Sequence, residues 1–130
     1  MRGVALLPSG QVLIRDELTG LKPRAEVRWG MITSGSPDGA GSKKLRLRHG
    51  DARLKLEVLQ PESTAWELVD TAKPRNPWDS PNKGTQMVAF QTPAPASGTL
   101  TLVVLATPSG HEQPGIKGFV SRQLSEWAVP

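Results

Sequence analysis

"KKLRLRHGDARLKLEV", residues 43 to 58, alternates leucine or valine with charged side chains on both sides of His49-Gly50-Asp51-Ala52. Successive side chains of a strand point to opposite faces, so a period of two collects Leu45, Leu47, Leu54, Leu56 and Val58 on one side. Glycine and aspartate between the two runs supply a turn, and the arms pair antiparallel with their leucines inward. Lys44, Arg46, Arg48, Arg53 and Lys55 then point outward together. A half-buried sheet follows, with one face core and one face wet.

The same period extends in both directions. "GVALL" and "QVLIRDEL" flank Pro8-Ser9-Gly10 and read as a second hairpin. "AEVRWGMIT" places Ala25, Val27, Trp29, Met31 and Thr33 on one face, which makes Trp29 a core residue. Residues 34 to 42, "SGSPDGAGS", have no apolar anchor and read as a mobile surface loop. Between 60 and 84 only "WELVD" has strand character, inside loop rich in proline and asparagine. "TQMVAFQT" and "GTLTLVVLAT" are strong strands, and the second is apolar enough to be buried on both faces. "IKGFVSRQL" is a candidate last strand. About eight short half-buried strands are satisfied by an all-β, antiparallel β-sandwich, with a barrel as the alternative.

A chain of 130 residues suits one domain, 1–130, and 12 prolines with 13 glycines argue against a helical bundle. Without cysteine there is no disulfide, thiolate metal site or thiol nucleophile. The first eight residues hold too short an apolar run for a signal peptide, and no later run reaches the roughly 18 residues of a membrane span. The net charge is +4, yet residues 43 to 55 hold six cations against Asp51, so the remainder of the chain sums to −1. The basicity belongs to one surface.

Five pieces in order, "VLIRDEL" (12–18), "VRWGMIT" (27–33), "ARLKLEVLQP" (52–61), "NKGTQMVAF" (82–90) and "SGTLTLVVLATP" (97–108), resemble the C-terminal β-sandwich region of the heparinase II/III-like polysaccharide lyases. With the loops between them they span about residues 2 to 108. The resemblance implies a parent enzyme with a helical toroid ahead of the sandwich. It also implies β-elimination on acidic polysaccharides and a periplasmic or secreted location. That chemistry takes a base, a proton donor and a group that neutralises the uronate carboxylate, in the family tyrosine, histidine, and asparagine or arginine. This chain has no tyrosine and only His49 and His111, so it departs from the pattern and cannot build a full lyase site. The expectation is a non-catalytic sandwich with no catalytic residue of its own, in partnership with the helical catalytic domain of the same parent chain. An independent carbohydrate-binding or adhesion module with no attached enzyme is the alternative.

Some family members hold zinc in the sandwich, but two histidines 62 positions apart give no metal spacing here, and no cofactor is expected. Asp16 and Glu17 are adjacent on a strand and face opposite ways, which suits bonds to neighbouring arginines better than paired carboxylate chemistry. Asp79-Ser80-Pro81-Asn82-Lys83-Gly84 lacks the alternating ligands of a calcium loop and reads as a turn.

Trp78, in "RNPWDSPN", is the one sugar-stacking candidate among the tryptophans, against a plain role plugging the sandwich or docking on a neighbour. For the cationic hairpin, the absence of any aromatic between Lys43 and Glu57 argues against nucleic acid. The choice there is between an acidic polysaccharide and a solvated face whose long stems cover apolar sheet. The candidate glycan contacts are Lys44, Arg46, Arg48, Arg53, Lys55 and Trp78; no membrane contact is expected.

Overall fold

The computed structural model describes residues 1–74, 76–112 and 117–127, with the side chains of all but 117 and 119. It contains β1 (Arg2–Leu6), β2 (Val12–Leu18), β3 (Glu26–Thr33), β4 (Ser36–Asp38), β5 (Lys44–His49), β6 (Ala52–Gln60), β7 (Glu67–Asp70), β8 (Gln86–Pro93) and β9 (Leu100–Pro108). A single helical turn, α1 (Lys117–Val120), and a short 3-10 turn (Leu124–Glu126) follow. The strands form a six-stranded sheet ordered β1-β2-β9-β6-β5-β4 and a three-stranded sheet ordered β3-β8-β7. All pairings are antiparallel and neither sheet closes on itself, so the architecture is a β-sandwich and not a barrel.

The alternation read from residues 43 to 58 fixes the large sheet. Leu45 pairs with Leu56 and Leu47 with Leu54, and Leu45, Leu47, Leu56 and Val58 are buried. With Leu102, Val104 and Ala106 of β9 they form the inner face, on which Trp29, Val88 and Phe90 of the small sheet pack. Trp66, immediately before β7, completes an aromatic centre. Trp29 stacks on Phe90, its cross-strand partner, at 5.7 Å, and the Trp66 ring meets Phe90 edge-on at 5.3 Å. Such rings combine large buried area with preferred stacked and T-shaped geometries. The Trp66 indole N–H donates to the Lys43 carbonyl at 3.0 Å, tying β7 to the entry of β5.

β9 is buried on both faces, as its composition implies. Its other face, with Leu13 and Leu7, forms a second apolar cluster around Val103 and Leu105. The C-terminal residues cover that cluster: Val120 and Trp127 pack on it, and Leu124 is buried. Leu59, at the register shift between Val58 and Gln60, packs on the same layer. Gly3 permits the cover, because a Cβ at this position would run into Leu124 and Trp127.

Two expectations are corrected. The 34–42 segment contains β4, in which Ser36, Pro37 and Asp38 pair with Arg48, Leu47 and Arg46. It lies at the sheet edge, where proline is tolerated because the missing N–H is not needed by a further strand. The tail segment proposed as a last strand is helical over 117–120 and adds no strand there, while Ile116 lies outside the described residues. It crosses the apolar face of β2 and β9, whereas the free edges of the sheet are β1 and β4.

Asp16 and Glu17 bind arginines on opposite faces, as their parity requires. Arg2 donates to both Asp16 carboxylate oxygens at 2.6 and 2.8 Å. The buried Arg15 donates to Glu17 Oε1 at 2.7 Å and to the Val120 carbonyl at 2.8 Å, and the Leu124 N–H donates to the same Glu17 oxygen at 2.9 Å. The Arg15 hydrogen bond first, and the Leu124 N–H second, hold the Glu17 carboxyl below its ordinary 4.5. A depressed carboxylate stabilises the fold above its unfolded pKa, and this contribution disappears as pH falls through the folded one. Melting temperature measured downward from pH 6 should therefore fall less steeply for Glu17→Gln than for the parent, and the variant should already be less stable at pH 6.

Candidate functional site

The outer face of the large sheet has two halves. Over β1, β2 and β9 it is roofed by residues 117–127, whereas over β5 and β6 the cations stand open. In-register partners share a face, so three cross-strand pairs lie there side by side: Lys44 with Glu57, Arg46 with Lys55, and Arg48 with Arg53. The first pair is complementary, with Lys44 Nζ at 3.6 Å from Glu57 Oε1. The other two set like charges directly opposite each other. Arg46, Arg48 and Arg53 are exposed and Lys55 half-buried, and among the described residues none of the four has a carboxylate within ion-pair distance.

Like charges directly across an antiparallel pair destabilise it, by a fraction of a kcal/mol up to about 1 kcal/mol. Two consecutive pairs of this kind leave a local excess of positive potential that an anionic ligand would relieve. Asp38 lies across from Arg46 on β4, without an ion pair between them. Glu112 lines a shallow groove of about 240 Å3 together with Arg46, Arg53, Lys55 and Thr107. These two carboxylates border the cations without neutralising them. Neither was among the residues singled out from the sequence, because Asp38 reaches the face only through β4 and Glu112 through the turn after β9.

The structure brings Lys44, Arg46, Arg48, Arg53 and Lys55 onto one surface. It does not bring Trp78 to them. Trp78 is 80% exposed and lines a separate groove with Arg28, Ile32, Val69 and Met87, residues of the outer face of the three-stranded sheet. The cations and the indole therefore occupy opposite sides of the sandwich. Trp78 plugs nothing in this chain, in contrast to Trp29 and Trp66, which are 5% and 1% exposed.

His49 ends β5, and His111 follows the turn after β9. His111 Nδ1 lies 2.8 Å from the Ser9 carbonyl oxygen, and His49 Nδ1 lies 3.4 Å from Ser34 Oγ. Among the described residues no three His, Asp or Glu side chains are grouped to hold a metal ion, and no helix is long and apolar enough to cross a membrane. The Asp79 to Gly84 stretch is a turn: Asp79 Oδ2 accepts from the Asn76 amides at 3.0 and 3.1 Å, and the Thr85 N–H donates to the Asn82 carbonyl at 3.2 Å. Searches against protein-family models and against curated proteins give no match to this chain.

Proposed function

We propose that this chain is a non-catalytic β-sandwich domain that holds acidic polysaccharide on the β5–β6 face, in the setting of a heparinase II/III-like lyase whose helical domain performs the β-elimination. The observation that carries the reading is the pair of like-charge cross-strand contacts, Arg46 with Lys55 and Arg48 with Arg53. A face that served only as a solvated exterior would be more stable with alternating signs, as in the Lys44–Glu57 pair beside it. Uronate carboxylates or sulfates spaced along a glycan supply the missing anions. The guanidinium groups of Arg46, Arg48 and Arg53 suit such planar or tetrahedral oxyanions through forked hydrogen bonds.

The support for a neighbouring catalytic domain is of a different kind. It rests on the sequence resemblance and on an unpartnered apolar strip. Val4 and Leu6 pair with Ile14 and Val12 on the inner face of the large sheet, but at the β1 edge they are 62% and 76% exposed, next to Met1 at 80%. A packed neighbour would bury this strip.

The division of labour is tested by incubating the chain with alginate, heparin, hyaluronan and chondroitin and following the ultraviolet absorbance of unsaturated uronates. No turnover is expected, because the sequence holds no tyrosine to serve the elimination. Sustained turnover of any of the four polymers would contradict the proposal.

A further inference from the structure

The groove around Trp78 lies on the face opposite the cations and has a different chemistry. We infer that it is a separate saccharide site, in which Trp78 stacks on a neutral pyranose ring.

The indole is held outward by a closed turn. The Asp79 N–H donates to the Asn76 carbonyl at 3.1 Å while the Asp79 carboxylate caps the Asn76 amides. The ends of the loop are tied to the sheet. The Ala72 N–H donates to Asp70 Oδ1 at 2.8 Å, and the hydroxyls of Thr71 and Thr85 are 3.0 Å apart. A tryptophan 80% exposed on a bonded turn keeps a large flat surface in water without filling any gap beneath it.

The rest of the groove completes a sugar's requirements. Ile32, Val69 and Met87 make an apolar floor, kept low at Gly30, where a Cβ would come within 2.7 Å of Met87 Sδ. Asp70 and Asp79 present acceptors at the rim, and Arg28, Lys73 and Asn82 present donors. Among the described residues, the Lys73 ammonium and the Asn82 side-chain amide make no hydrogen bond or ion pair. A pyranose matches this set, because its C–H face packs on an aromatic ring while its hydroxyls both donate and accept. The groove volume of about 560 Å3 falls within the roughly 300–1,000 Å3 of small-ligand clefts.

The charge balance distinguishes this site from the β5–β6 face. Arg28 and Lys73 stand with Asp70 and Asp79, and Arg28 is also 3.7 Å from the Glu67 carboxylate, so the groove has no excess positive charge to attract a polyanion. A neutral sugar loses nothing by this balance.

The test is isothermal titration calorimetry of the intact chain with neutral hexasaccharides of β-linked glucose, xylose, mannose and N-acetylglucosamine. At least one should give a saturable change, weakened about tenfold or more in Trp78→Ala, as expected for loss of an aromatic contact. Trp78→Phe should retain part of the affinity. Added salt and loss of the β5–β6 cations should leave it unchanged, which separates this site from the acidic-polysaccharide reading. Near-ultraviolet circular dichroism of each variant checks that the fold is intact. Binding by none of the four sugars, or undiminished binding in Trp78→Ala, overturns the inference. So does self-association in sedimentation that Trp78→Ala abolishes while no sugar binds, since the indole is then a protein contact.

Discussion

Replacing Trp66 by alanine is expected to leave the chain largely unfolded, or to lower its urea midpoint to near the threshold of folding. Deleting a buried Phe or Trp side chain typically costs about 3–5 kcal/mol, against a total stability of about 5–15 kcal/mol for a domain. Trp66 is at the severe end for three reasons. It is 1% exposed, it packs edge-on against both Phe90 and Trp29, and its N–H is the partner of the Lys43 carbonyl. The substitution therefore opens a cavity between the sheets and at the same time releases a tie between β7 and the entry of β5. Leu68→Ala provides the comparison: Leu68 lies two residues away in β7 but is 44% exposed at the sheet margin, and its loss should cost about 1 kcal/mol or less. Equilibrium urea unfolding measures both. A Trp66→Ala variant within 1 kcal/mol of the parent would show that the aromatic centre does not hold the two sheets together.

The parts of this fold that were legible in the sequence are those in which one local pattern decides one local outcome. Residues 43 to 58 specify a hairpin because a one-residue slip would expose every leucine. β9 reads as doubly buried because a run such as "LVVLA" has no wet side, and it does carry an apolar cluster on each face. Parity alone separates Asp16 from Glu17 and suits each to a neighbouring arginine, and Arg2 and Arg15 are those partners.

Where several distant segments decide together, the sequence was silent. Ser36-Pro37-Asp38 has no strand propensity of its own, and its pairing comes from the open edge that β5 offers. The tail resembled a strand because "FV" and "L" alternate with polar residues, but the apolar face of β2 and β9 needed a roof more than the sheet needed another edge. Trp78 and the cations belong to one set when read along the chain. They part because odd and even positions of different strands, summed over two sheets, send them to opposite sides. The groove partners Arg28, Ile32 and Met87 gave no warning, since their outward parity acquires meaning only when residues 71–74 and 78–82 are known to lie against them.

The second large effect concerns the β5–β6 face. Changing Arg46, Arg48, Arg53 and Lys55 together to serine should remove affinity for sulfated or uronate-rich glycans while leaving the fold as stable as before, or slightly more so. The leucines on the inner face are untouched, and two like-charge pairs disappear. Loss of the stems' cover over the sheet works in the other direction and keeps the gain small. A patch that is only a wet exterior would give the same relief of repulsion but no lost ligand.

Whether the β5–β6 face binds a polyanion is decided by the affinity of a fluorescent sulfated oligosaccharide for the intact chain, followed by anisotropy across a salt series and repeated with the fourfold variant. If the four cations each displace a counterion as they do on a nucleic-acid polyanion, log affinity should fall against log salt with a slope of about −3, from roughly 0.7–0.9 per contact. The fourfold variant should bind too weakly to measure. A slope near zero, or a variant that binds like the parent, would contradict the assignment of the β5–β6 face to an acidic polysaccharide.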